Sequence, residues 1–191
     1  PPTPASRSAT AVPDTAPSHL PADASRTADV EQLFVHLAGQ NRVPRLHRLW
    51  LAPLYLQAKL IGKIQALGAA AARGQSSRLI AKMNALTDED LIRALVQAGQ
   101  HGVKIDLVVR GACILPARVP GFTDNIRVRS VIGRFLEHTR IFYFREDDKE
   151  DLYLSSADWM NRNMLRRVKV AWPVPDPPHR QRNLDECRGP Y

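Results

Sequence analysis

Cysteine is nearly missing from this chain. Cys113 and Cys187 are the only two among 191 residues, and they stand in neither a C-x-x-C motif nor a zinc-ligand spacing. A disulfide framework and a structural zinc site are therefore set aside, and two thiols this far apart read as reduced residues of an intracellular protein. No apolar run approaches the roughly 18 residues that a membrane-spanning helix requires. The start of the chain is crowded with proline and shows neither the charged nor the apolar region of a signal peptide, so a cytoplasmic protein with no transmembrane segment is expected. Aromatic residues make up only 6% of the chain. They interleave poorly with its arginines, which argues against single-stranded nucleic acid as a partner.

What is abundant is positive charge. Twenty-seven Lys and Arg face nineteen Asp and Glu, a formal net charge of +8. A polyanionic partner or substrate follows as the class to consider. The length suits one globular domain with an appendage, because roughly 150 residues hide about 68–70% of the unfolded surface.

Residues 1–28 carry Pro1, Pro2, Pro4, Pro13, Pro17 and Pro21 among Ala, Ser and Thr. Such a segment cannot offset its ordering entropy by burial and reads as a disordered tail, with the folded domain spanning 29–191. Asp29 is a plausible helix N-cap before Val30, Leu33, Phe34 and Leu37. Pro53 suits the first turn of a helix with Leu56, Leu60, Ile64 and Leu67 on one face. Arg78–Met83 reads as a strand. Thr87-Asp88-Glu89-Asp90 supplies a capping hydroxyl and three carboxylates to a helix with Leu91, Leu95 and Val96 inside. Val103–Val109 is the clearest strand, followed by strand candidates at Ile126–Ile132, Arg140–Phe144, Leu152–Leu154 and Arg167–Trp172, then a helix from His179 to Cys187. The charged run Glu146–Asp151 reads as an exposed hairpin loop. The order of elements predicts an α/β fold, a mixed sheet flanked by helices.

Between Arg110 and Arg145 lie seven arginines and no lysine, against Asp124 and Glu137. Arginine forks favour bidentate binding of phosphate or carboxylate. Arg110 ends the clearest strand and precedes Gly111, and ligands of open α/β sheets bind at that edge. His138 enters a strand with Arg140 two residues on, so an imidazole and a fixed cation can meet one phosphate. Ser156 and Asp158, after the Leu152–Leu154 strand, can orient a histidine, or they simply cap a following helix.

Four ordered blocks carry a specific resemblance. They are residues 80–86 (IAKMNAL), 104–111 (KIDLVVRG), 125–138 (NIRVRSVIGRFLEH) and 154–163 (LSSADWMNRN). Together they resemble the carboxyl-terminal, phospholipase D-like domain of bacterial polyphosphate kinase, a family that makes polyphosphate reversibly from ATP. The resemblance implies a phosphotransferase whose phosphohistidine lies in an earlier domain, so the chain is expected to be a fragment or truncated product, incomplete and inactive by itself. It implies that His138 is catalytic, giving or taking a proton near the phosphohistidine, and that His138 and Arg110 bind ATP phosphates. Arg140, Ser156 and Asp158 are supporting residues, and no metal ligand is assigned. By the same resemblance the complete enzyme uses Mg2+ and ATP, exchanges ATP/ADP and polyphosphate and forms a homo-oligomer; no nucleic acid is expected as a partner. It resides in the cytoplasm or at the inner membrane's periphery. Lys169 stands where the resemblance leads to a glutamate. Two other functions fit the residues: a phospholipase D-like phosphodiesterase, echoed by His138-x-Arg140 and Ser155-Ser156-x-Asp158, or a non-catalytic module that binds polyanions.

Overall fold

The computed structural model describes residues 24–39, 45–130 and 138–188. Seven strands form one mixed sheet: β1 (Trp50–Ala52), β2 (Ser77–Met83), β3 (Lys104–Val109), β4 (Ile126–Arg129), β5 (Arg140–Glu146), β6 (Lys149–Ser155) and β7 (Lys169–Pro173), in the order β1-β7-β6-β5-β2-β3-β4. β2, β3 and β4 are mutually parallel, and every other pairing is antiparallel. The helices are α1 (Ala24–Leu37), α2 (Leu56–Ala72), α3 (Glu89–Gln100), α4 (Asn161–Leu165) and α5 (Pro177–Arg188).

One sheet face carries the main core. Leu56, Leu60, Ile64 and Leu67 recur every three or four residues and so share the inner side of α2. They pack with Leu91 and Leu95 of α3 against Leu79, Ala81 and Met83 of β2, Ile105, Leu107 and Val109 of β3, and Phe142 of β5. The opposite face has a smaller cluster in which Ile80, Ile141, Tyr143, Leu152 and Leu154 meet Leu184 and Cys187 of α5. Strand alternation accounts for the division, since successive side chains point to opposite faces.

Several expected details are corrected. Asp29 does not cap α1, which begins at Ala24; it lies inside the helix, fully buried, and accepts the backbone N–H groups of His47, Arg48 and Leu49. Residues 24–28 of the expected tail therefore belong to a helix, and residues 1–23 lie outside the described residues. Pro53 precedes α2 by a turn, and Tyr55 is its N-cap. At α3 the cap is the carboxylate of Asp88, not the Thr87 hydroxyl: it accepts from Leu91 N and from Gln57 Nε2 on α2. Neither Ser156 nor Asp158 caps α4, whose N-cap is Met160.

The run Glu146–Asp151 is mostly strand. Only Asp147 and Asp148 turn the chain, while the opposite charges of Arg145 and Glu150, and of Glu146 and Lys149, face each other across the β5–β6 ladder. Cross-strand pairs of this kind let charged residues extend an exposed ribbon. Beyond β4 the expected strand runs past residue 130, outside the described residues.

Candidate functional site

The pairing pattern brings five chain ends to one sheet edge. β2 and β3 finish there at Met83 and Val109, while β5, antiparallel to β2, begins there at Arg140. β6 ends beside it, with Ser155 opposite Arg140, and β7 starts at Lys169. Arg110 follows β3 and His138 precedes β5, so they flank β2 on its two sides, roughly two inter-strand spacings or about 10 Å apart. Both side chains are exposed. Both lie just outside their strands, where two-residue alternation no longer dictates direction.

Backbone contacts fix the Arg110 side. Arg110 N donates to Met83 O at 3.2 Å and Gly111 N to Asn84 O at 2.8 Å. A Cβ on Gly111 would stand 3.1 Å from that Asn84 oxygen, so the glycine permits the close approach. The segment after β2 is held from its other side as well, because Trp159 N donates to Ala85 O and Leu86 N to Ala112 O.

A buried ion pair fixes the His138 side. Asp158 Oδ1 accepts Asn84 N–H at 2.8 Å and Arg140 Nε at 3.1 Å, and Oδ2 accepts Arg140 Nη2 at 3.0 Å. Arg140 Nη1 donates to the His138 carbonyl at 2.7 Å. Burial alone would raise the Asp158 pKa, but the Arg140 guanidinium and the N–H groups of Asn84 and Ala85 hold it below the usual carboxylate value. Asp158 thus links the chain leaving β2 to the chain entering β5. Through Asn84 O the same linkage reaches Gly111, beside Arg110.

This geometry changes the part expected of Arg140. Its guanidinium is only 7% exposed as a residue and is already forked onto Asp158, so it positions His138 rather than offering a free fork to phosphate. Ser156 is exposed and takes part in the sheet margin instead, its Oγ accepting Val170 N at 3.1 Å. Neighbouring Ser155 donates to Val170 O and accepts Ala157 N.

Lys169 belongs to this edge too. Burial is the largest cause lowering its pKa, with Arg140 and Arg167 adding to it and Asp158 opposing. Sequence reasoning singled it out only as a departure from the family pattern. The part of Asn84 was missed altogether, because its contribution is a backbone N–H that no side-chain motif announces.

Among the described residues, no group of three or more His, Cys, Asp or Glu is placed to hold a metal ion. The one carboxylate of the Asp158–Arg140 pair is spent on Arg140 and Asn84. These residues therefore do not fit the Mg2+ that the resemblance implies. No helix among the described residues is long and apolar enough to cross a membrane.

Comparison with known proteins agrees with the fold. Residues 49–187 match the family described as polyphosphate kinase C-terminal domain 2. The chain is 49% identical over 155 residues to the polyphosphate kinase of Burkholderia ambifaria, covering 81% of this chain and 23% of that protein. It is 50% identical over 155 residues to the polyphosphate kinase of Paraburkholderia phytofirmans, with the same coverage of 81% and 23%. The crystal structure of polyphosphate kinase from Porphyromonas gingivalis superposes with a TM-score of 0.83 at 36% identity, over 87% of this chain and 26% of that one. Nuc from Salmonella typhimurium, a phospholipase D family member, shares the fold alone, with a TM-score of 0.51 at 15% identity over 74% of this chain and 90% of that one. The chain thus spans about a quarter of the length of the polyphosphate kinases it matches. With its phospholipase D-like mixed sheet and this match over most of its length, the chain belongs to the polyphosphate kinase family as a C-terminal domain 2.

Proposed function

We propose that this domain supplies the phosphate-holding edge of a polyphosphate kinase, in which the terminal phosphate of ATP passes reversibly to polyphosphate through a phosphohistidine in another part of the protein. The observation that carries the reading is the placement of Arg110 and His138 on either side of β2, both exposed, with their backbones tied together through Arg140, Asp158, Asn84 and Gly111. Phosphoryl transfer depends mainly on positioning and on neutralising charge on the equatorial oxygens. The Arg110 guanidinium neutralises that charge, and the His138 imidazole gives or takes the proton at the reacting oxygen. Asp158 and Arg140 hold the His138 backbone in place while this occurs. ATP/ADP and polyphosphate are the substrates, and Mg2+ is held by residues outside this set. The complete protein works as a homo-oligomer in the cytoplasm, where its nucleotide is available. The domain includes α1, because Asp29 fastens that helix to residues 47–49.

The phosphodiesterase alternative draws less support. The cation two residues after His138 is engaged with Asp158, and the likeness to Nuc at 15% identity concerns the fold.

The test is a chimera in which this chain replaces the matching quarter of the Burkholderia ambifaria enzyme, assayed for ATP-dependent polyphosphate growth. A charge-assisted hydrogen bond of about 1.5–3 kcal/mol, lost in the transition state, slows turnover about ten- to more than a hundredfold in Arg110→Ala. Full turnover by that variant removes Arg110 from the reaction.

A further inference from the structure

Among the described residues, Lys169 is a cation with no counter-ion of its own. It opens β7, paired with Ala52 of β1. Ala171, two residues on, lies opposite Ser155, which in turn lies opposite Arg140. Lys169 therefore shares a sheet face with Arg140 and sits at the edge that carries Arg110 and His138. β7 and β5 are two inter-strand spacings apart, about 10 Å, which a lysine and an arginine side chain span between them.

Lys169 is half-buried, and its ammonium makes no hydrogen bond or ion pair with any described residue. The charged groups that act on it are Arg140 from β5, Arg167 from the approach to β7 and Asp158 from the loop after β6. Asp158 is already committed to Arg140 and to the Asn84 N–H. The half-buried Lys169 ammonium thus feels the charge of two arginines and of a carboxylate already engaged with Arg140, a setting that favours the arrival of an anion.

We propose that Lys169 is a phosphate-binding residue, its ammonium holding phosphoryl oxygens of the substrate at the edge formed by Arg110 and His138. The inference rests on the reading of that edge given above and adds a binding residue of this chain's own. A phosphate group suits that ammonium, since its oxygens accept from it and its charge offsets the repulsion that Lys169 meets from Arg140 and Arg167. Nucleotide phosphates and inorganic polyphosphate share this chemistry.

The 191-residue chain is titrated by calorimetry with tripolyphosphate and, separately, with ATP, near neutral pH and at low salt, and its melting temperature is recorded with and without each. Lys169→Gln should weaken binding about ten- to a hundredfold. Lys169→Arg, which keeps the charge, should stay within about threefold of the parent. In the absence of ligand the Gln variant should melt at or above the parent temperature, because a repelled cation has been removed. Loss confined to tripolyphosphate assigns the inorganic chain as ligand, loss confined to ATP assigns the nucleotide, and loss with both assigns the shared phosphoryl group. Unchanged affinity in Lys169→Gln overturns the proposal. So does a free Gln variant that melts lower and is not rescued by Lys169→Arg, since that pattern belongs to a packing role. Arg110→Ala separates the two readings: if it loses affinity while Lys169→Gln does not, only the Lys169 assignment falls. If Arg110→Ala binds normally and Lys169→Gln does not, the reading of Arg110 falls instead. A parent chain that binds neither ligand overturns both.

Discussion

Replacing Asp158 by Ala is the most searching perturbation of the candidate edge. Its side chain is 13% exposed and that of Arg140 is 8% exposed, so the mutation removes the carboxylate onto which a buried guanidinium is forked. Breaking a buried pair from one side costs about 3–5 kcal/mol, and the Asn84 N–H also loses its acceptor. In a domain of this size each kcal/mol lowers the melting temperature by about 2–4 °C, so a fall of about 6–20 °C is expected. The exposed pair Arg93–Asp90, whose side chains are 65% and 59% exposed, is the internal control. Asp90→Ala should cost no more than about 0.5 kcal/mol. Urea denaturation followed by tryptophan fluorescence, to which the fully buried Trp159 contributes, measures both.

The pH dependence gives a second handle on the same residue. The folded Asp158 has a lowered pKa, so its contribution is present above the unfolded value of about 3.9 and is lost as pH falls through the folded value. The gap between parent and Asp158→Ala should hold steady from about pH 5 to 8 and close in stronger acid. An Asp158→Ala protein no less stable than Asp90→Ala, or a gap that widens in acid, would refute the reasoning.

Asp29→Ala should cost about 2–3 kcal/mol in the same urea assay, because three backbone N–H groups at residues 47–49 lose a buried carboxylate; a loss below that of Asp90→Ala would contradict the contact. Gly111→Ala places a Cβ 3.1 Å from Asn84 O and should cost about 1–3 kcal/mol with a parallel loss of tripolyphosphate affinity. Tyr143, pushed up to about 12 by burial and by its hydrogen bond to Glu150, should remain protonated in an ultraviolet titration at pH values that ionise free tyrosine. Because that pKa is raised, the stability it confers is full below about pH 10 and declines as pH climbs toward the folded value. A Tyr143→Phe protein should lose that part of the alkaline decline.

Much of the fold was legible because its signals are local. The four apolar residues of α2 and the β-branched run of β3 carry their own periodicity, and both elements formed where expected. Asp29 was misread because capping rules are local, whereas its partners lie 18 to 20 residues away. The run Glu146–Asp151 reads as loop because its charges look solvated until they are paired across strands. At the edge, Arg110 and His138 could be named from strand ends and from family resemblance. The commitment of Arg140 to Asp158 depends on β6 and β5 being neighbours, which residue order alone does not reveal. Lys169 acquires its setting the same way, through pairing with β1 at one side and proximity to Arg140 at the other.

The bond between Asn84 and Asp158 spans 74 positions of the sequence. A ribosome that has released β2, α3 and β3 has produced Arg110 but not the carboxylate that steadies its neighbour, nor β5 to flank β2. The working edge is therefore a late product of synthesis, completed only once the polypeptide through β7 has emerged. Until β5 follows, the nascent protein exposes an unpaired side of β2, an open edge of the kind that invites aggregation.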